Sequence, residues 1–126
     1  MELKMAESIL RTKAKRLAID IIRTCREMKK NKIEYALIDQ LLRCGTSIGA
    51  NVHEAQFAQG TKDFISKLEI ALKECNECDY WLDILLSTQS IDPDTCKKLS
   101  NECDEIRKLL ISSVTTLKSK QKKTNS

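Results

Sequence analysis

The sequence predicts an all-α fold, an antiparallel up-down-up-down four-helix bundle, and three observations predict it. Apolar residues recur at three- and four-residue steps through four successive segments, the period of amphipathic helices. The chain is rich in Leu, Ile, Lys and Glu, with one proline and three glycines in 126 residues. The breaks between segments are short, so neighbouring helices are expected to run antiparallel. That length makes one domain and buries roughly two-thirds of the unfolded surface, enough for a core without covalent staples.

Helix one is expected over about residues 3–30, with a stripe of Leu3, Leu10, Ala14, Leu17, Ile21, Cys25 and Met28. Lysines in "KKNKIE" close it, and Asn31 with Glu34 has the spacing of a capping box for helix two, about 34–58. Its stripe is Ile38, Leu41, Gly45, Ile48, Val52 and Ala55. In "QGTKDF", Gly60 reads as the stop, Thr61 as the next N-cap, and Asp63 as a charge favourable to the helix dipole. Helix three, about 62–88, carries Phe64, Leu68, Ala71, Cys75, Leu82 and Leu85. "SIDPDT" is the clearest start signal, with Asp92 as N-cap and Pro93 at the first helical position. Helix four, about 93–117, carries Cys96, Leu99, Cys103, Ile106, Leu110, Val114 and Leu117. Residues 1–117 form the expected bundle; beyond Leu117 the period is lost, and 118–126 read as a basic flexible tail.

The N-terminus lacks an apolar signal block, and no apolar run is long enough to span a membrane. A cytoplasmic protein without a membrane partner is expected. In a reducing compartment the six cysteines stay free, and their places on the apolar stripes fit thiols acting as small hydrophobes. Net charge is +4, distributed unevenly. Residues 1–50 have a balance of +5, residues 51–117 of −5, and the tail adds four lysines. Such asymmetry points to an anionic partner or to complementary contact between subunits.

Gly45 and Gly49 stand four residues apart inside helix two, beside Thr46, Ser47 and Ala50. Each glycine costs a helix interior about 1 kcal/mol relative to alanine, so a close helix contact must compensate. Packing within the bundle explains the strip, and a subunit interface is the sharper alternative.

The run from Gln40 to Leu85, with "SIGANVHEA" at Ser47–Ala55, then "KDFISKLEIALKE" and "YWL", resembles the bacterial family of 23S rRNA intervening-sequence proteins, also called S23 ribosomal proteins. The resemblance implies a short antiparallel bundle that assembles as a ring-shaped homopentamer. Founding members are encoded within insertions in ribosomal RNA genes. A related branch, the accessory variability determinant of diversity-generating retroelements, forms a basic pentameric barrel that binds a reverse transcriptase and nucleic acid. The resemblance brings no catalytic residues; Asn51 and Glu54 match recurrent polar positions and are carried over as structural.

Helix one is the most informative surface. Arg11, Lys15, Arg16, Arg23, Arg26, Lys29 and Lys30 fall within a sector of about 140° turned away from its apolar stripe. Successive bases of this kind suit sequence-independent contact with the phosphates of RNA or DNA, and Lys118, Lys120, Lys122 and Lys123 add to it. No aromatic lies among them, which argues against stacking on single strands. Ile19 and Ile22 share the sector and suggest a face buried against another subunit. Tyr80 and Trp81 are expected at an edge of the bundle or between subunits.

"CNEC", Cys75 to Cys78, has CxxC spacing but lacks a second pair or histidines at ligand spacing, so no metal is expected. Neither Glu-x-x-His steps, phosphate loops nor nucleophile elbows occur, and no arginine stands four to six residues before His53. The expectation is a non-enzymatic oligomer without cofactor that associates with nucleic acid. The alternative is a scaffold or accessory subunit, for example of a reverse transcriptase, that meets only a protein partner.

Overall fold

The computed structural model describes residues 2–125, with side chains from 4 to 123. Four helices fill it: α1 (Glu2–Lys30), α2 (Tyr35–Ala55), α3 (Thr61–Ser87) and α4 (Pro93–Asn125). Each packs on its two neighbours, with α4 closing onto α1, while among the described residues the backbones of the diagonal pairs stay apart across the core. Cross-helix contacts give the directions. Along α1 and α4, Lys13 meets Glu105 and Asp20 meets Lys98; one number rises as the other falls. Arg43–Glu77 and Glu54–Lys67 say the same of α2 and α3, and Asp79–Arg107 with Glu69–Lys118 of α3 and α4. All neighbours are therefore antiparallel.

The expected stripes are the core. Leu10, Ala14, Leu17, Ile21, Cys25 and Met28 of α1 are buried, as are the expected residues of α2 and α4. In α3 Phe64 is only partly buried, and Ile65 and Cys78 join the core beside Leu68, Ala71 and Cys75. The Leu3 side chain lies outside the described residues.

Three end signals differ from expectation. Asn31 and Glu34 form no capping box: Glu34 is the N-cap of α2 and its side chain makes no capping bond. Asn31 instead closes α1, because the chain turns back there in a Schellman motif. Ile33 N–H donates to Met28 O, and Lys32 N–H, at φ 59°, donates to Lys29 O. Thr61 is not an N-cap but the first helical residue; Gly60 is the cap, and Asp63 reaches back to accept the Gln59 N–H at 3.1 Å. Because α2 already ends at Ala55, Gly60 starts a helix rather than stopping one. Asp92 behaves as expected: its Oδ2 accepts the Thr95 N–H at 3.0 Å.

The helix does not stop at Leu117. Lys and Gln are good helix formers, no glycine or proline intervenes, and Lys118 is tied to Glu69 at 2.9 Å, so α4 runs on to Asn125. Leu117 marks the end of burial, not of the helix.

Candidate nucleic-acid interface

The outer face of α1 is fixed by what holds its inner face. Gly45 faces α1 so closely that a Cβ there would lie 2.8 Å from Ile21 Cγ1. A Cβ on Gly49 would lie 3.4 Å from the Ala14 carbonyl oxygen, ordinary contact. The small-residue strip is thus the α1–α2 seam inside one chain. The polar neighbours do not span that seam. Asn51 Nδ2 donates to Ser47 O in its own helix at 2.9 Å, and Glu54 pairs with Lys67 of α3 at 3.3 Å.

With Leu17, Ile21 and Ala14 turned inward, the opposite sector is left to the bases. Lys15, Arg16, Arg23, Arg26, Lys29 and Lys30 are exposed and Arg11 is half-buried. Arg16, Arg23 and Lys30 follow one another at seven-residue steps, and the set spans about 28 Å of helix at 1.5 Å per residue. Among the described residues none of the seven forms an ion pair, although Arg16 lies within Coulombic reach of Glu102 and Glu105. Lys13, on the α4 side, is the α1 base that does, meeting Glu105 at 2.7 Å. Ile19 is 40% exposed in the middle of this face and Ile22 is half-buried.

Two hollows flank the face. On the α2 side a groove of about 390 Å³ has a floor of Ala18, Thr46, Gly49 and Ala50 and a rim of Arg11, Lys15 and His53. On the α4 side Asp20 lies among Arg16, Ile19 and Arg23. Asp20 Oδ2 and Glu102 Oε2 of α4 are sealed from solvent without hydrogen-bond partners among the described residues. Burial first, and Asp20 beside it second, push the Glu102 carboxyl up to about 7. Sequence reading missed this pair; Asp20 was visible at the edge of the basic sector, but its partner lies 82 positions away on another helix.

The expected tail lysines do not extend the face. The α1–α4 register puts Lys118 beyond the start of α1, about 16 Å along the axis from Arg11 at 1.5 Å per residue. Lys118 is bound to Glu69, and Lys120 and Lys123 have interactions of their own. Lys122 is exposed.

All six cysteines are free and buried. Burial pushes the Cys25 thiol up to about 11 and Cys75 up to about 12. Cys78 is raised further by hydrogen bonding to Cys103, at 3.7 Å, and to Cys44. Thiols raised in this way within an apolar core are poor nucleophiles and poor ligands. Among the described residues no three His, Cys, Asp or Glu side chains are grouped to hold a metal ion. His53 is exposed and meets the Phe57 ring edge-on at 5.5 Å. Tyr80 is exposed and stands edge-on to the partly buried Trp81 at 5.1 Å, at the bundle's rim. Among the described residues no helix is long and apolar enough to cross a membrane.

In comparisons with known proteins, the model of a family described as 23S rRNA-intervening sequence protein matches residues 6–112. A crystal structure of a protein of unknown function from the S23 ribosomal protein family, from Bacteroides thetaiotaomicron, is 40% identical and superposes with a TM-score of 0.84. The match covers 87% of this chain and 98% of that one. No curated protein matches.

Proposed function

The chain belongs to the 23S rRNA-intervening sequence protein family, and from that premise we propose that it is a non-enzymatic, oligomeric bundle that holds nucleic acid against the outer face of α1. One observation carries the reading: seven bases share one helix face and none is neutralised by an ion pair within the described chain. Bases elsewhere are often spent internally, as Arg43 on Glu74 and Glu77, Lys67 on Glu54, and Arg107 on Asp79 and Asp104. Flexible cations along about 28 Å suit the phosphates of a duplex or folded RNA rather than particular bases. A homopentamer, with Ile19 and Ile22 at its subunit contacts, would repeat the face and raise its avidity.

Fluorescence anisotropy with a folded RNA and a DNA duplex, across about 50 to about 200 mM salt, tests the reading. Affinity is expected to fall steeply with salt. Arg23→Glu with Arg26→Glu is expected to weaken binding at least about tenfold and to flatten the salt slope by about 2. A flat salt response, or an unchanged double variant, overturns it. Light scattering after size exclusion checks assembly: a mass of five times 14.4 kDa is expected, and a clean monomer removes the ring.

The second reading, a scaffold for a protein partner, is favoured by the exposed Ile19 and by Tyr35 and Phe57, more than 70% exposed at opposite ends of α2. Oligomer without any salt-sensitive RNA or DNA binding would select it.

A further inference from the structure

A hollow on the outer face of α1, lined by α1 residues, contains one carboxylate among its bases, Asp20. Its Oδ2 and the Oε2 of Glu102 are the two orphaned oxygens of the α1–α4 seam. The register that sets Lys98 against Asp20 and Glu105 against Lys13 places Glu102, one turn along α4 from Lys98, on the same side of the seam, and the two carboxyls act on each other. Lys98 Nζ stands 3.5 Å from Asp20 Oδ2, at the outer limit of a hydrogen bond. The other charged group facing Glu102 is Arg16 of α1; Lys13 and Glu105, one turn on, are bound to each other. A second carboxylate pair, Glu74 and Glu77 of α3, is built differently, because the Arg43 guanidinium contacts both.

Lys98 pairs with Asp20 but not with Glu102, so no cation contacts both carboxyls as Arg43 does, and ionised together they repel. One proton between them turns repulsion into a charge-assisted O–H···O⁻ hydrogen bond and satisfies both buried oxygens. We propose that Asp20 and Glu102 share one proton across the α1–α4 seam, and that its loss loosens α1 from α4 and removes a positive increment from the basic face.

The direction with pH follows from linkage. In the unfolded chain Glu102 ionises near the ordinary glutamate value of 4.5, whereas the folded pair holds its proton to about 7. The stabilisation is therefore complete below the unfolded value and is lost as pH rises through the folded one. Less than half of Glu102 is screened from water, so the effect is reduced: roughly a tenfold fall in the folding constant from about pH 5 to about pH 8.

Urea unfolding of the full chain at both pH values measures this. The wild type is expected to show the fall. Glu102→Gln is expected to abolish most of it, because the amide has no proton to lose, and Asp20→Asn to reduce it by a smaller amount, because burial still acts on Glu102. A pH-independent wild type, or a slope unchanged in both variants, overturns the shared proton. The charge effect rests on the nucleic-acid reading and is read separately, in a His53→Asn background that removes imidazole titration. RNA affinity is expected to drop about twofold more over this pH range with the pair intact than with Glu102→Gln. Equal drops overturn the link to the face. Absence of RNA binding at every pH overturns the functional reading instead and, with it, that link, while the stability arm judges the proton alone.

Discussion

α1 is gripped on its two sides by different physics. Towards α2 the seam is steric: two glycines admit Ile21 and the Ala14 backbone, and no ion pair joins the helices among the described residues. Towards α4 the seam is electrical, with Lys13–Glu105, Lys98–Asp20 and the Asp20–Glu102 carboxyls. Shape complementarity is indifferent to salt and pH, whereas exposed charges respond to both. Conditions in solution should therefore act on one side of α1 and leave the other alone.

The largest effect expected is on the steric side. Gly45→Leu drives a branched side chain into the fully buried Ile21 and should cost about 3 kcal/mol or more, read as a lower urea midpoint with the same loss at any salt. If that loss depends on salt, the division between the seams is wrong.

Alanine sharpens the point by a difference of sign. At Gly45 a Cβ overlaps Ile21 at 2.8 Å, and Gly45→Ala should destabilise by about 1 kcal/mol after its gain in helix propensity. At Gly49 the space is ordinary, and Gly49→Ala should stabilise by about 0.5–1 kcal/mol. Thermal unfolding of both variants side by side checks this; equal shifts in one direction would show that the two glycines do the same job.

The smallest effect belongs to the electrical side. Lys13→Gln should lower the urea midpoint slightly at low salt and not at all at high salt, since the Glu105 side chain is 60% exposed.

Most of the interior was legible because it depends on period alone. Ile21, Leu41, Leu68 and Ile106 repeat at helical steps, and burial follows. Asp92 and Pro93 were legible because a cap acts on its own next turn. Chain reversals at Lys32 and Gln89 were not. Both sit at positive φ (59° and 57°), where glycine is the usual signal, and the hydrogen bonds of the motif hold a lysine and a glutamine there instead. The basic sector of α1 could be read from angle, but its lack of pairing could not. Whether Arg23 or Lys13 finds a carboxylate depends on how α4 is registered against α1, as does the meeting of Asp20 with Glu102.

The cysteines give the chain a built-in clock. Every helix carries at least one: Cys25 in α1, Cys44 in α2, Cys75 and Cys78 in α3, Cys96 and Cys103 in α4. Buried from solvent, they are silent toward alkylating reagents while the fold is closed. Each opening lasts long enough to be stamped only where a helix has swung away, so the order in which the thiols acquire mass records which wall of the bundle gives first.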